Sequence, residues 1–253
     1  MGRALPRTNF NSSRLLRLLA ELSAVDDGEP KQGFAERLGH WLNFSDAITL
    51  HAAQGLASPS AAPGATLPVG AAELEAELAK IRTALASSIT ASCSADGSET
   101  RIKWPTPKSG ADIAAIDLAM AYEPYRRFYQ AHQGELEASV HPLRSKARQA
   151  LARVSPQLRQ LASLDAALDQ VLGARERQLL ATVPVLLEKR FAQLANAHQQ
   201  RLAEQPDDPA WSMQPAGWLA DFGTELKMVL LAELDLRLQP TVGLIEALSN
   251  EAA

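Results

Sequence analysis

Apolar and polar positions alternate along this chain at helical spacing almost throughout. After the cap-rich run RTNFNSS at 7–13, Leu15, Leu16, Leu18, Leu19 and Leu22 recur every three to four residues until DDGEP at 26–30. A second helix is predicted over 32–54, with Phe34, Leu38, Trp41, Leu42, Ile48 and Leu50 as its apolar set and an interruption at Ser45 or Asp46. The two pair as an N-terminal helical hairpin, residues 1–54. The stretch GLASPSAAPGATLPVG at 55–70 carries no charge and is broken by glycine and proline, so it reads as a flexible linker. Residues 71–253 form the main helical bundle.

Within that bundle a helix is predicted over 71–90, with Leu74, Leu78, Ile81 and Leu85 on one stripe and Glu73, Glu75 and Glu77 complementing the dipole at its start. A break follows, SADGS at 94–98 and WPTPKSG at 104–110, in which Trp104 is expected to tether the loop to its own core. From about 111 the helical pattern runs to Gln205. Pro124, Pro142, Pro156 and Pro184 are expected to kink or joint it, because an interior proline removes a backbone hydrogen bond and crowds the preceding turn. Ser155–Pro156 has the form of an N-cap followed by a first-turn proline, which places a helix start there. The stripe from Leu158 to Leu202 drifts out of a strict heptad, which indicates a bundle helix instead of a sustained coiled coil. A dense apolar segment over 218–238 predicts a central buried helix that Gln239 and Pro240 stop or bend, with one last turn or two in 241–248. The fold class is all-α, an elongated multi-helix bundle with proline-jointed long helices.

Composition agrees: 46% of residues are apolar but only 5% aromatic, and alanine and leucine lose little entropy in helices. A net charge of −4 supplies no global attraction to nucleic acid or acidic lipid. The single cysteine, Cys93, excludes an internal disulfide framework and a cysteine-rich zinc site, and fits a reducing compartment. Apolar runs such as VPVLL at 183–187 are soon followed by charge, so no spanning segment is expected. The chain start reads as that of a mature cytoplasmic protein.

Candidate chemistry is sparse. His40 and His51 would lie about 16 Å apart along one helix, too far to share a metal. His132 with Glu135, and Glu137 with His141, have pair spacings but lack the duplicated Glu-x-x-His order of di-metal bundles, so they read as solvent-facing pairs. No phosphate loop, zinc-protease helix or nucleophile elbow occurs. The expectation is therefore a non-enzymatic protein with no cofactor and no metal. Two features suggest a partner surface: the aromatic run with Tyr122, Arg126 and Tyr129, which otherwise makes a core seam, and the basic stretch 141–160 with Arg144, Arg148 and Arg159, which otherwise makes a solvated helix face.

The segments RTNFNSSRLLRLL at 7–19, FAERLGHWLNFSDAITL at 34–50, YEPYRRFYQAHQ at 122–133 and LRQLASLDAALDQVLGARERQLLATVPVLLEKRF at 158–191 resemble a proteobacterial family classed as a domain of unknown function. The resemblance covers nearly the whole chain, apart from the 55–70 linker. It implies no catalytic residue. It does imply gene neighbours encoding envelope proteins of the OmpA/MotB kind and coiled-coil membrane proteins. The expected function is that of a helical interaction or scaffold protein binding a protein partner at the cytoplasmic side of an envelope assembly. The alternative is a nucleic-acid-associated protein using the 141–160 basic patch, and self-association as a homo-oligomer is open to either.

Overall fold

The computed structural model describes residues 13–23, 44–55, 70–94, 100–105, 118–204 and 217–252. Expectations for Phe34, Leu38, His40, Trp41 and Leu42, for the linker between 56 and 69, and for the breaks at 95–99 and 206–211 lie outside those residues. Among the described residues every regular element is an α-helix, and no helix is long and apolar enough to cross a membrane.

The helices are α1 (Arg14–Ser23), α2 (Phe44–Gly55), α3 (Ala71–Ser92), α4 (Leu118–Val154), α5 (Pro156–Leu180), α6 (Val183–Glu204) and α7 (Gly217–Ala252). At 1.5 Å per residue, α4 and α7 each extend about 55 Å. They run side by side in parallel: the Tyr125 and Phe222 rings meet at 5.6 Å, and the Tyr129 hydroxyl donates to Glu233 at 2.6 Å further along. Helix α3 runs antiparallel to α4, since Lys146 reaches Glu77 at 2.5 Å while Ser92 meets His132 at 2.9 Å. Helices α5 and α6 follow one another along the remaining side of α4, α5 against its C-terminal half and α6 against its N-terminal half. Of the expected N-terminal pair, α1 packs on α7 and α6, with Leu15 in the core, and α2 packs on α5.

The α4–α5 boundary follows from local chemistry. Ser155 is extended, its hydroxyl accepts from the Leu158 N–H at 3.2 Å, and Pro156 occupies the first helical position without wasting a donor. Pro184 follows the break at 181–182 that separates α5 from α6, as expected of a joint, whereas three other prolines do not end their helices. Pro124 and Pro142 lie inside a continuous α4, and Pro240 lies inside a continuous α7. Pro124 and Pro142 are exposed, as are Met120 and Ala138, four residues before each. The carbonyls they orphan therefore face water, where the lost hydrogen bond is least costly. Around Pro240, buried Leu238, Thr241 and Leu244 fix both flanks of the helix against the core. Solvent exposure at Pro124 and Pro142, and burial of the flanks at Pro240, let the helix continue past the local breaker.

Among the described residues, two apolar clusters fill the interior. The larger joins Tyr122, Tyr125, Phe128 and Tyr129 of α4 to Leu187 and Phe191 of α6 and to Phe222, Leu226 and Leu230 of α7. The smaller joins Leu74, Ala147, Leu151, Leu158, Leu244 and Leu248 at the other end of α4.

Candidate functional site

Four polar clusters sit along α4 among the described residues, and the residues singled out from sequence fall into or beside them. At its N-terminal end, Tyr122 is fully buried and its hydroxyl donates to the Pro184 carbonyl at 2.7 Å. Burial pushes its pKa well up. Arg126 is ion-paired to Glu188 and lies 3.5 Å from Glu123, with its guanidinium 5.7 Å from the centre of the Tyr122 ring. Tyr125 belongs to the same seam, and burial pushes its phenol up to about 12.

One turn further, Tyr129 and Glu233 are both fully buried. Glu233 accepts from the Tyr129 hydroxyl at 2.6 Å, from Gln133 at 3.1 Å and from Arg237 at 2.8 Å. Removing a carboxylate from water is costly unless its lone pairs are filled, and here a phenol, an amide and a guanidinium fill them. Burial and the adjacent Glu233 charge hold the Tyr129 hydroxyl far above its ordinary range, so it stays a donor. Tyr122 and Tyr129 thus form the core seam, and neither ring is presented to a partner. Their hydroxyls end inside the bundle.

His132 is also buried, at 1% exposure, which corrects the solvent-facing reading of its pair with Glu135. Its Nε2 lies 2.9 Å from Ser92 Oγ, and its Nδ1 lies 3.7 Å from Glu135 Oε2, which Ser88 also approaches while Arg101 pairs with Oε1. Burial lowers the imidazole to about 4 against the smaller opposing pull of Glu135, so the ring is neutral at pH 7. The serine–histidine–carboxylate order matches that of a hydrolase triad, but Ser92 has no exposed surface and its hydroxyl is bonded to the Ile89 carbonyl at 2.9 Å. It also sits in the last turn of α3, where carbonyls point outward. The arrangement ties α3 to α4. Next to it, burial raises the Cys93 thiol to about 11, which holds it in the weakly reactive protonated form.

The basic stretch is occupied from within. Arg144 grips Asp165 with two nitrogens at 3.0 and 2.7 Å and reaches Asp169 at 3.1 Å. Arg148 meets Asp169 at 2.7 Å and Asp165 at 3.0 Å. Burial opposes the Arg144 charge, but hydrogen bonding to Asp165 and the nearby carboxylates leave its pKa raised. Burial likewise pushes Asp169 up, and its bond to Arg148 with the charge of Arg144 brings it net down. Lys146 pairs with Glu77, and Arg159 donates from Nε to the Ala152 carbonyl at 3.0 Å. The structure therefore turns the main arginines of the expected patch into the α4–α5 joint. A cleft of about 60 Å³ opens beside this joint, lined with mixed charge that includes Glu137, His141, Glu176 and Arg177.

Among the described residues no group of histidine, cysteine, aspartate and glutamate is arranged to hold a metal ion. Sequence reasoning missed Glu233 and the surface on the far side of α4. Along that side Met120, Pro124, Arg127, Ala131, Gly134, Ala138 and Pro142 are exposed at intervals of three and four. Met120 shows 70% of its surface, and a Cβ added at Gly134 would meet nothing within 4 Å.

Compared with known proteins, residues 1–250 match one family model, described as a protein of unknown function (DUF3348). No curated protein and no solved structure matches the chain.

Proposed function

We propose, for a chain that belongs to this family of unknown function, that it is a helical interaction protein whose docking surface is the outer face of α4. The observation that carries this reading is the make-up of that face. From Met120 to Pro142, about 33 Å at helical rise, it is apolar and mostly small, with Arg127 its one charge among the residues named above. Gly134 adds to the argument. A helix-interior glycine costs about 1 kcal/mol relative to alanine, and nothing in the fold needs the missing Cβ there. A partner helix approaching closely would need it, because small residues let two backbones come together. The inner side of the same helix is locked by Glu233, His132 and the Arg144–Asp165 joint, so the face is offered by a rigid rod that loses little entropy on binding.

The partner is a protein with a helical segment, at the cytoplasmic side of an envelope assembly, as the family resemblance suggests. The nucleic-acid alternative loses its main support, because Arg144 and Arg148 are already neutralised by Asp165 and Asp169. Affinity capture from the native host with the intact chain and with the double variant Ala131→Arg, Ala138→Arg tests the proposal. The expected result is one specific partner retained by the intact chain and lost by the variant at unchanged helicity. Equal recovery by both removes the α4 face from consideration.

A further inference from the structure

The segment 100–105 is a non-helical strap laid against the bundle. Its Trp104 indole packs edge-on against Tyr125 at 5.3 Å and Phe128 at 5.0 Å, both on α4. The other wall is α7 at Gly223, where an added Cβ would come to 3.2 Å of two indole carbons. Ile102 joins the same apolar cluster, and Arg101 clips to Glu135 at 2.9 Å. The slot is thus shaped for an indole, floored by aromatic rings and kept open by one glycine, with a carboxylate placed to receive an arginine three residues earlier.

The strap is weakly secured for so well-matched a seat. Arg101 is 76% exposed, and an ion pair in that setting is screened by water and contributes little to holding the segment down. Trp104 and Ile102 are only partly buried. Segments outside helices with exposed polar ties open at a fraction of the global unfolding free energy. We infer that residues 100–105 act as a replaceable intramolecular ligand, and that the Tyr125–Phe128–Gly223 slot receives a partner segment carrying an arginine three residues before a tryptophan. The chain's own Arg101 and Trp104 demonstrate the fit. This slot lies on the buried side of α4, opposite the face proposed for docking, so either can fail alone.

A fluorescently labelled peptide copying residues 100–105 provides the probe, titrated into the full chain and monitored by anisotropy. The Trp104→Ala variant should bind it at least tenfold more tightly than the intact chain, whose slot is filled. Adding Gly223→Leu to that variant should abolish binding, as should replacing the peptide's tryptophan with alanine. No binding by a folded Trp104→Ala variant overturns the inference, and so does binding that survives Gly223→Leu. Should Trp104→Ala not fold, hydrogen exchange on the intact chain decides. Amides of 101–104 should exchange at least tenfold faster with the peptide in large excess, and an unchanged rate overturns the inference.

Discussion

Acidification through the range of an ordinary histidine should loosen this fold, and His132 sets the size of the effect. Burial holds its folded-state pKa at about 4 against 6.5 for the free side chain. The sign follows from proton counting: below pH 6.5 the unfolded chain takes up a proton that the folded chain refuses until about pH 4. Stability contributed by the neutral ring is therefore whole above pH 6.5, falls as pH drops towards 4, and stays level below that. A gap of about 2.5 pH units at 1.36 kcal/mol each sets a ceiling of about 3 kcal/mol, of which about 2 kcal/mol is lost between pH 7 and pH 5. Glu135 and Arg101 also face the ring, the carboxylate favouring its protonation and the guanidinium opposing it, and both act less strongly than burial. Urea unfolding followed by circular dichroism at pH 7 and pH 5 measures it, with His132→Gln as the reference that keeps an amide near Ser92 but cannot titrate. The intact chain should lose about 2 kcal/mol more than the variant over this interval. Parallel pH dependence in the two proteins would refute the reasoning, since carboxylates common to both would then account for the whole loss.

Glu233→Leu should destabilise by about 3–5 kcal/mol in chemical denaturation, because it strands the buried Arg237 charge and leaves Tyr129 and Gln133 without their acceptor. Ser155→Ala should cost about 1 kcal/mol through the lost cap on Leu158 N–H, read as a lower urea midpoint at unchanged slope. Gly134→Ala should raise stability by about 0.5–1 kcal/mol, since the methyl enters open space on a helix. A destabilised Gly134→Ala would mean that the helix is strained there.

Legibility in the sequence tracked the range of the interaction. Ser155–Pro156 was readable because cap and first-turn proline act within three residues, and the apolar stripes gave the all-α class for the same reason. Pro124, Pro142 and Pro240 do not end their helices, because tolerance of an interior proline depends on which face of the helix meets water and on burial of the flanks, neither of which is local. The basic stretch shows a signal that was available but unused. Arg144 and Arg148 are four residues apart, Asp165 and Asp169 are four apart, and a cap-and-proline turn between them folds one pair onto the other. Tyr129 and Glu233 are separated by 104 residues, and no local pattern could have joined them. The outer face of α4 escaped notice because small residues carry no positive signal until burial shows which side they occupy.

Site-specific photo-crosslinking in the native host tests the central claim most directly, with a photoreactive residue placed in turn at Ala131, Gly134 and Ala138 of α4 and at the exposed control Gln193 of α6. The account requires the same protein to be captured from all three α4 positions and not from Gln193. Capture from Gln193 alone, or no specific adduct from α4 while the chain is folded and expressed, would contradict it.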